Sequence, residues 1–229
     1  MQIERLTGKG KRETNQDLIC INSLESGASF LIIADGMGGY EKGDEAAKIT
    51  SENIYTFLNY IETINEKNIQ QAVQKANLAI KQFNTENNIK SGATIGGIIV
   101  EKDIVHIFWV GDVKVYQINK NKILFQTKSH TLVNSLLESD TIKEEKSLDK
   151  YKHIVSRSIC GKSSEPSIGY QSKTFSKDDL FIICSDGLHN LISIEQLLVF
   201  IHQKNGLQEL EHQFLMEAQD NYSIITITF

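Results

Sequence analysis

The sequence predicts an α+β protein in which antiparallel sheets are covered by helices, and three observations lead to that prediction. Short segments rich in β-branched residues recur along the chain and are bounded by turn residues. Several of them are separated by only two to four polar residues, which is typical of antiparallel hairpins and too short for parallel crossovers. Longer stretches between them carry apolar residues at helical spacing. This order of elements favours a layered arrangement.

The predicted strands follow one another at residues 17–21, 29–34, 93–100, 103–110, 113–118, 122–127, 179–185 and 222–229. The polar connections at 101–103 and 119–121 predict hairpins, and we extend the same interpretation to the connection between 110 and 113.

Helices are predicted where the apolar residues lie on one stripe. The first covers residues 45–61 and the second covers residues 69–83, and two further helices are expected near 193–202 and 206–218. The polar segment 138–153 fits an exposed helix or a mobile flap, and a solvated surface is the simplest interpretation.

Length and charge limit the classes of function. The 229 residues suit one ample domain, and nothing in the sequence forces a division, so we expect a single domain over 1–229. A net charge of −5 argues against a nucleic-acid partner, and the basic stretch 8–12 is too short to change that. No apolar run approaches the roughly 20 residues of a membrane span, and the polar N-terminus lacks a signal-peptide core. We therefore expect no membrane partner.

The three cysteines, Cys20, Cys160 and Cys184, are an odd number at unrelated spacings. Cys20 and Cys184 stand inside apolar runs, which favours buried free thiols over disulfides or zinc ligands. Free thiols fit a reducing compartment, so a cytoplasmic location is expected.

Aspartates recur at the ends of the predicted strands. Asp35 ends FLIIADG, Asp186 ends the similar LFIICSDG, and Asp112 ends HIFWVGD. Asp17 precedes the first predicted strand and Asp220 precedes the last. A lone Asp beside Gly usually caps a turn, but carboxylates gathered at neighbouring strand ends would repel one another unless cations lay between them. Oxygen-only ligands favour Mg²⁺ or Mn²⁺ over zinc or copper.

The glycine-rich segment DGMGGYEKG is a candidate phosphate-binding loop. It lacks the Gly-x-Gly-x-x-Gly spacing, and no Gly-Lys-Ser/Thr occurs in the chain, so a dinucleotide or nucleoside-triphosphate loop is disfavoured. Neither ADGMGG nor CSDGLHN supplies the Asp-x-Asp pair that a phosphatase with an aspartyl-phosphate intermediate would need. Glycines around Asp35 instead indicate that something approaches the backbone closely there.

Six motifs stand together in one order: RETNQD (12–17), ADGMGG (34–39), SGATIGG (91–97), GD (111–112), CSDGL (184–188) and DN (220–221). In that order and spacing the chain resembles the protein phosphatase 2C family of metal-dependent Ser/Thr protein phosphatases, in particular its short bacterial members. The resemblance covers essentially the whole chain. It implies a four-layer α-β-β-α sandwich of two antiparallel sheets flanked by helices.

The resemblance also implies a set of metal ligands. Asp35 would bridge two Mn²⁺ or Mg²⁺ ions, and the backbone carbonyl of Gly36 would bind one of them. Asp186 and Asp220 would complete the shell of the first ion, and Asp17 would hold the second through water.

Two further residues have implied roles with simpler alternatives. Arg12 would grip the substrate phosphate with its planar guanidinium, whereas taken alone it would be a solvated surface arginine. Asp112, with Asp186, would hold a third, weaker ion; the alternative is an aspartate that caps a hairpin between HIFWV and VKVYQI.

The chain departs from the family pattern at several positions. Gln16 stands where some relatives carry a ligating glutamate, and Val113-Lys114 replaces the usual Ser-Arg. His130 follows Ser129 where Asp-His-Ser is common, so it is either near the mouth of the site or structural. His189-Asn190 after CSDGL is also unusual. None of these changes removes an expected metal ligand.

The predicted function is therefore a cytoplasmic Ser/Thr phosphatase in which a metal-bridging water attacks phosphorus directly. Its partners would be phosphoserine and phosphothreonine proteins, with a cognate Ser/Thr kinase possible, and the chain would act as a monomer. The alternatives are a pseudophosphatase that uses the same fold for binding or regulation, and a phosphatase of small phospho-metabolites. The presence of all the expected acids favours an enzyme.

Overall fold

The computed structural model describes residues 1–37, 42–138, 151, 154–162 and 166–229 and, at 214 and 215, the backbone alone. The described strands are β1 (Gln2–Gly8), β2 (Asp17–Ser23), β3 (Ser29–Gly36), β4 (Ala93–Glu101), β5 (Ile104–Val110), β6 (Lys114–Asn119), β7 (Lys122–Gln126), β8 (Gly169–Thr174), β9 (Asp179–Cys184) and β10 (Tyr222–Thr228). The described helices are α1 (Gly43–Asn59), α2 (Glu66–Asn87), α3 (Leu132–Glu138), α4 (Asp186–His189), α5 (Ile194–Ile201) and α6 (Gly206–Glu217).

The strands form two antiparallel sheets. The first has the order β1-β10-β9-β6-β7, and the second has the order β2-β3-β4-β5-β8. Three apolar clusters fill the spaces between four layers. One lies between α1/α2 and the second sheet, one lies between the two sheets, and one lies between the first sheet and α4 to α6. The predicted α-β-β-α sandwich is thereby confirmed.

The central strands are buried on both faces, which explains their unbroken apolar runs. Along β3, Phe30 and Ile32 face the helices, whereas Leu31 and Ile33 face the other sheet. In an antiparallel sheet with one wet face, every second residue would instead be polar.

One glycine of β4 is required by packing. A Cβ on Gly97 would collide with the ring of Phe108 on β5. Phe108 is fully buried beneath the helices, where it stacks on Phe30 at 6.5 Å between ring centroids.

All eight predicted strands and all four predicted helices are present, with small changes at their ends. Strands β1 and β8 and helices α3 and α4 were not predicted. Both strands lie at sheet edges, and their sequences QIERLTG and GYQSKT are largely polar, so they lack the apolar run that marks a buried strand. The predicted segment 138–153 lies mostly outside the described residues; Glu138 ends α3.

One connection was predicted wrongly. The segment between β5 and β6 is not a hairpin, because these strands belong to different sheets. Gly111, with φ of 104°, turns the chain from one sheet to the other. Residues with side chains rarely adopt that backbone conformation.

No helix in the described ranges is both long enough and apolar enough to cross a lipid bilayer.

Candidate active site

The candidate site lies at one end of the sandwich, where both sheets present the ends of their central strands. In the second sheet, Asp35 is the penultimate residue of β3 and Asp112 follows β5. In the first sheet, Asp186 follows β9 and Asp220 precedes β10. These four aspartates, with Arg12 and Gly36, line one cleft of about 540 Å³. Because neighbouring strands are antiparallel, the end of one strand and the start of the next meet at the same edge.

Asp17 lies directly opposite Asp35, since the two residues are register partners on β2 and β3. Its Oδ2 accepts a hydrogen bond of 2.7 Å from the hydroxyl of Ser185, and that hydroxyl in turn accepts one of 2.9 Å from the backbone N–H of Ser223. Its Oδ1 is buried and has no hydrogen-bond partner. An orphaned buried carboxylate oxygen is costly unless a cation or proton satisfies it.

Burial, and then the charges of neighbouring carboxylates, raises the pKa of Asp17, Asp35, Asp112 and Asp186. Burial raises the pKa of Asp35 well above its usual range, and the negative charges of the four other aspartates add to this effect. Burial likewise raises the pKa of Asp17 and that of Asp112, each to about 6. The pKa of Asp186 is also raised, by burial first and then by the charge of Asp220. This concentration of negative charge is the electrostatic condition for binding divalent cations.

Asp220 is engaged by Arg12. The guanidinium donates two hydrogen bonds of 2.8 Å, one to each carboxylate oxygen, and this pairing raises the pKa of Arg12. The two side chains are 47% and 41% exposed, so the pair lies at the mouth of the cleft, where solvent screens it. Arg12 thus lies at the cleft as predicted, but its guanidinium group binds the carboxylate of Asp220.

Asn221 anchors the segment that carries Arg12, a role that the sequence did not reveal. Its amide nitrogen donates to the carbonyls of Lys9 and Thr14, at 3.0 and 2.9 Å. Its amide oxygen accepts from the backbone N–H of Gln16 at 2.9 Å. The motif DN at 220–221 could have suggested this, because the short amide side chain of Asn both donates and accepts hydrogen bonds and can therefore bond a neighbouring loop in both directions.

Two histidines support the turn that carries Asp112. His189 donates from Nε2 to the carbonyl of Asp112 at 3.1 Å, and burial lowers the pKa of its imidazole to about 4, so the ring is neutral. The Nδ1 of His130 accepts from the N–H of Gly111 at 3.1 Å, and its ring stacks on Trp109 at 5.9 Å. His130 thus contacts the turn that carries Asp112, beside the cleft. The hairpin-cap alternative for Asp112 fails, because no hairpin exists there.

Gly36 has a simpler reason to be glycine than the expected approach of a ligand. A Cβ at this position would collide with the backbone carbonyl of Gly43 at the start of α1, and the carbonyl of Gln16 is also close. The N–H of Gly36 donates to that Gln16 carbonyl at 3.0 Å. The glycine lets the end of β3 pass between these two segments.

The donor set fits a hard divalent cation in kind, because it consists of carboxylates and one backbone carbonyl. In the described part of the chain, no three Asp, Glu, His or Cys side chains already surround one point as a metal site. The bidentate hold of Arg12 on Asp220 is one physical reason, since it directs both oxygens of that carboxylate to the guanidinium.

Solved structures share this fold. A serine/threonine phosphatase from S. agalactiae matches with a TM-score of 0.86 at 23% identity, over 98% of each chain. Stp1 from Staphylococcus aureus matches with a TM-score of 0.87 at 22% identity, over 100% of this chain and 94% of the other. The catalytic domain of the phosphatase PstP, solved in complex with two manganese ions, matches with a TM-score of 0.79 at 22% identity, over 98% and 96%.

Curated relatives match over nearly their full lengths. A putative protein phosphatase 2C-type of Streptococcus pyogenes is 28% identical, over 94% of this chain and 90% of the relative. A serine/threonine phosphatase of Listeria welshimeri is 26% identical, over 99% and 95%.

The fold and the acidic cleft, with these relatives, define the class as a metal-dependent Ser/Thr phosphatase. The family model of protein phosphatase 2C matches residues 9–219 of the 229. The chain therefore belongs to the protein phosphatase 2C family, and the recognition made from its six motifs is confirmed.

Proposed function

We propose that the acidic cleft holds two tight Mn²⁺ or Mg²⁺ ions and hydrolyses phosphoserine and phosphothreonine in proteins. The proposal rests on one observation: aspartates from both sheets converge on a single cleft, where burial, and then the charges of the neighbouring carboxylates, raises the pKa of Asp35 and of Asp186. The ligands would be Asp17, Asp35, Asp186 and Asp220 with the carbonyl of Gly36. Bound ions would supply a water of lowered pKa for attack on phosphorus and would neutralise the phosphoryl oxygens.

The chain's own residues orient the reactants. Asp35 is fixed at the end of a buried central strand, with Asp17 held beside it by Ser185. Arg12 stands at the mouth, where its fork can turn from Asp220 to two phosphoryl oxygens. That exchange would couple metal binding to phosphate binding, because Asp220 becomes available as a metal ligand when Arg12 turns to the phosphate.

Asp112, with Asp186, is proposed to hold a third and weaker ion. Support comes from their shared position on the cleft and from the burial of Asp112, which is 7% exposed. The neutral His189 beside Asp112 adds no positive charge that would compete with a cation.

The cellular setting is also a proposal. Three free cysteines favour a reducing cytoplasm. A shared apolar core between the sheets favours residues 1–229 acting as one catalytic unit. We infer phosphoproteins as substrates and a Ser/Thr kinase as the opposing enzyme, and we expect a monomer. A pseudophosphatase is disfavoured because every expected acid is present in or beside the cleft.

Turnover of p-nitrophenyl phosphate tests the proposal. Metal-stripped protein should be inactive in EDTA and recover with Mn²⁺ or Mg²⁺, whereas Asp35→Asn should lose nearly all turnover while remaining folded by circular dichroism. Full activity without metal, or wild-type kcat in Asp35→Asn, would contradict the proposed mechanism. A phosphothreonine peptide should be hydrolysed with higher kcat/KM than small phospho-metabolites; the reverse order would replace the protein substrate with a metabolite.

A further inference from the structure

A second cleft, here called the lysine groove, lies beside the C-terminal half of α2. It is larger than the active-site cleft, at about 920 Å³ against about 540 Å³. Three lysines line it, Lys81, Lys90 and Lys162, and its described lining contains no aspartate or glutamate. The described lining of the groove is therefore positively charged, whereas the chain as a whole has a net charge of −5.

The walls of the groove are held in place by two asparagines of α2. The Oδ1 of Asn77 accepts from the N–H of Gly161 at 2.8 Å, and its Nδ2 donates to the carbonyl of Lys162 at 3.1 Å. Asn84 bonds the backbone of Ser91 in both directions, each at 3.0 Å. These hydrogen bonds fix two separate backbone segments to one helix, so the shape of the groove between them is determined by the fold.

Among the described residues, the three groove lysines have no acidic partner, since no carboxylate forms an ion pair with any of them. The last turn of α2 itself contains no basic residue. All three are exposed and free to meet a ligand from solution.

The groove adjoins the active site. Met37 lines the active-site cleft, and its backbone N–H donates to the carbonyl of Gly92 at 3.1 Å. Gly92 directly follows Ser91, which lines the groove. A polypeptide with its phosphorylated residue in the cleft could therefore reach the groove within a few residues, since an extended chain spans about 3.3 Å or more per residue.

We propose that the lysine groove binds acidic residues that flank the phosphorylated residue of the substrate protein. The inference rests on the proposed function, because it assigns a substrate class to that same site. Three exposed cations give a modest attraction each, and together they favour acidic flanks in a salt-dependent way.

The experiment compares two phosphothreonine peptides of equal length. One carries Asp and Glu around the phosphothreonine, and the other carries Asn and Gln at the same positions. The groove variant is Lys81→Gln, Lys90→Gln and Lys162→Gln together. The matched control is Lys67→Gln, Lys75→Gln and Lys122→Gln, which removes the same charge from exposed sites outside both clefts. Lys67 lies about 21 Å along α2 from Lys81.

Wild type and control should prefer the acidic peptide by about tenfold in kcat/KM, the size expected of three exposed charge pairs. The groove variant should lose that preference and keep its kcat/KM on p-nitrophenyl phosphate. A preference retained in the groove variant, or absent in the wild type, would overturn the proposal.

Fluorescence anisotropy with the unphosphorylated acidic peptide separates this proposal from the proposed function. Weaker binding by the groove variant, with unchanged binding by the control, supports the lysine groove as the site for acidic residues, even if no phosphate ester is hydrolysed. Equal binding by wild type, groove variant and control at low salt overturns the proposal that the lysine groove binds acidic residues. That result says nothing against the phosphatase activity, which the p-nitrophenyl phosphate assay tests.

Discussion

Replacing Asp112 by Asn should stabilise the metal-free protein, because it removes a buried charge that the fold disfavours. The pKa of Asp112 is raised from 3.8 to about 6, chiefly by burial and then by the charge of Asp186. Above pH 6 the folded protein must hold this carboxylate ionised at a cost of about 3 kcal/mol, at about 1.4 kcal/mol per pKa unit. Asn has nearly the same shape and carries no charge.

The pH dependence follows from the direction of the shift. A carboxyl whose pKa is raised by folding stabilises the native state below the unfolded pKa of 3.8, and this contribution is lost as pH rises through about 6. The gain from Asp112→Asn in EDTA should therefore be largest near pH 7.5 and fall to roughly half at pH 5. For a chain of this length the gain at pH 7.5 corresponds to a rise of about 6–12 °C in Tm.

Urea unfolding in EDTA at the two pH values measures the effect. Asp103→Asn is the matched control, since Asp103 is an exposed residue of the β4–β5 turn and its substitution should change little. An Asp112→Asn protein that is no more stable than wild type at pH 7.5, or that gains the same stability at both pH values, would contradict this prediction.

Two further substitutions test the mouth of the cleft. Arg12→Ala should raise KM for p-nitrophenyl phosphate and lower kcat moderately, because the guanidinium would contact phosphate in both ground and transition states; an unchanged kcat/KM would leave Arg12 a solvated surface residue. Asn221→Ala should lower stability by about 2 kcal/mol in urea unfolding, since it removes three hydrogen bonds to the 9–16 segment. It should also raise KM, because that segment carries Arg12, and stability with KM both at wild-type values would contradict the anchoring role.

The central part of the fold could be predicted because its strands are buried on both faces. Runs such as FLIIADG and LFIICSDG have almost no polar residues before the aspartate. Their sequences alone therefore predict buried strands with an acidic residue at the end. Antiparallel pairing then brings Asp17 and Asp35 together, and Asp220 near Asp186. The prediction of a single acidic site follows from these few facts.

The rest depends on contacts between distant segments. β1 and β8 are polar edge strands that gain their order from one neighbouring strand each. At Gly111 the chain passes from one sheet to the other. The short connection between β5 and β6 has the length typical of a hairpin, so the sequence does not indicate this change of sheet. The pairing of Arg12 with Asp220 and the bond from His189 to Asp112 join residues far apart in sequence, for which no local pattern exists.

Titration calorimetry of Mn²⁺ into metal-stripped protein tests the central claim most directly, with Asp35→Asn measured beside the wild type. Wild type should show two tight sites, and Asp35→Asn should lose tight binding at both, because Asp35 is the proposed bridging ligand. Equal stoichiometry and affinity in the two proteins would contradict the assignment of the acidic cleft as the metal centre.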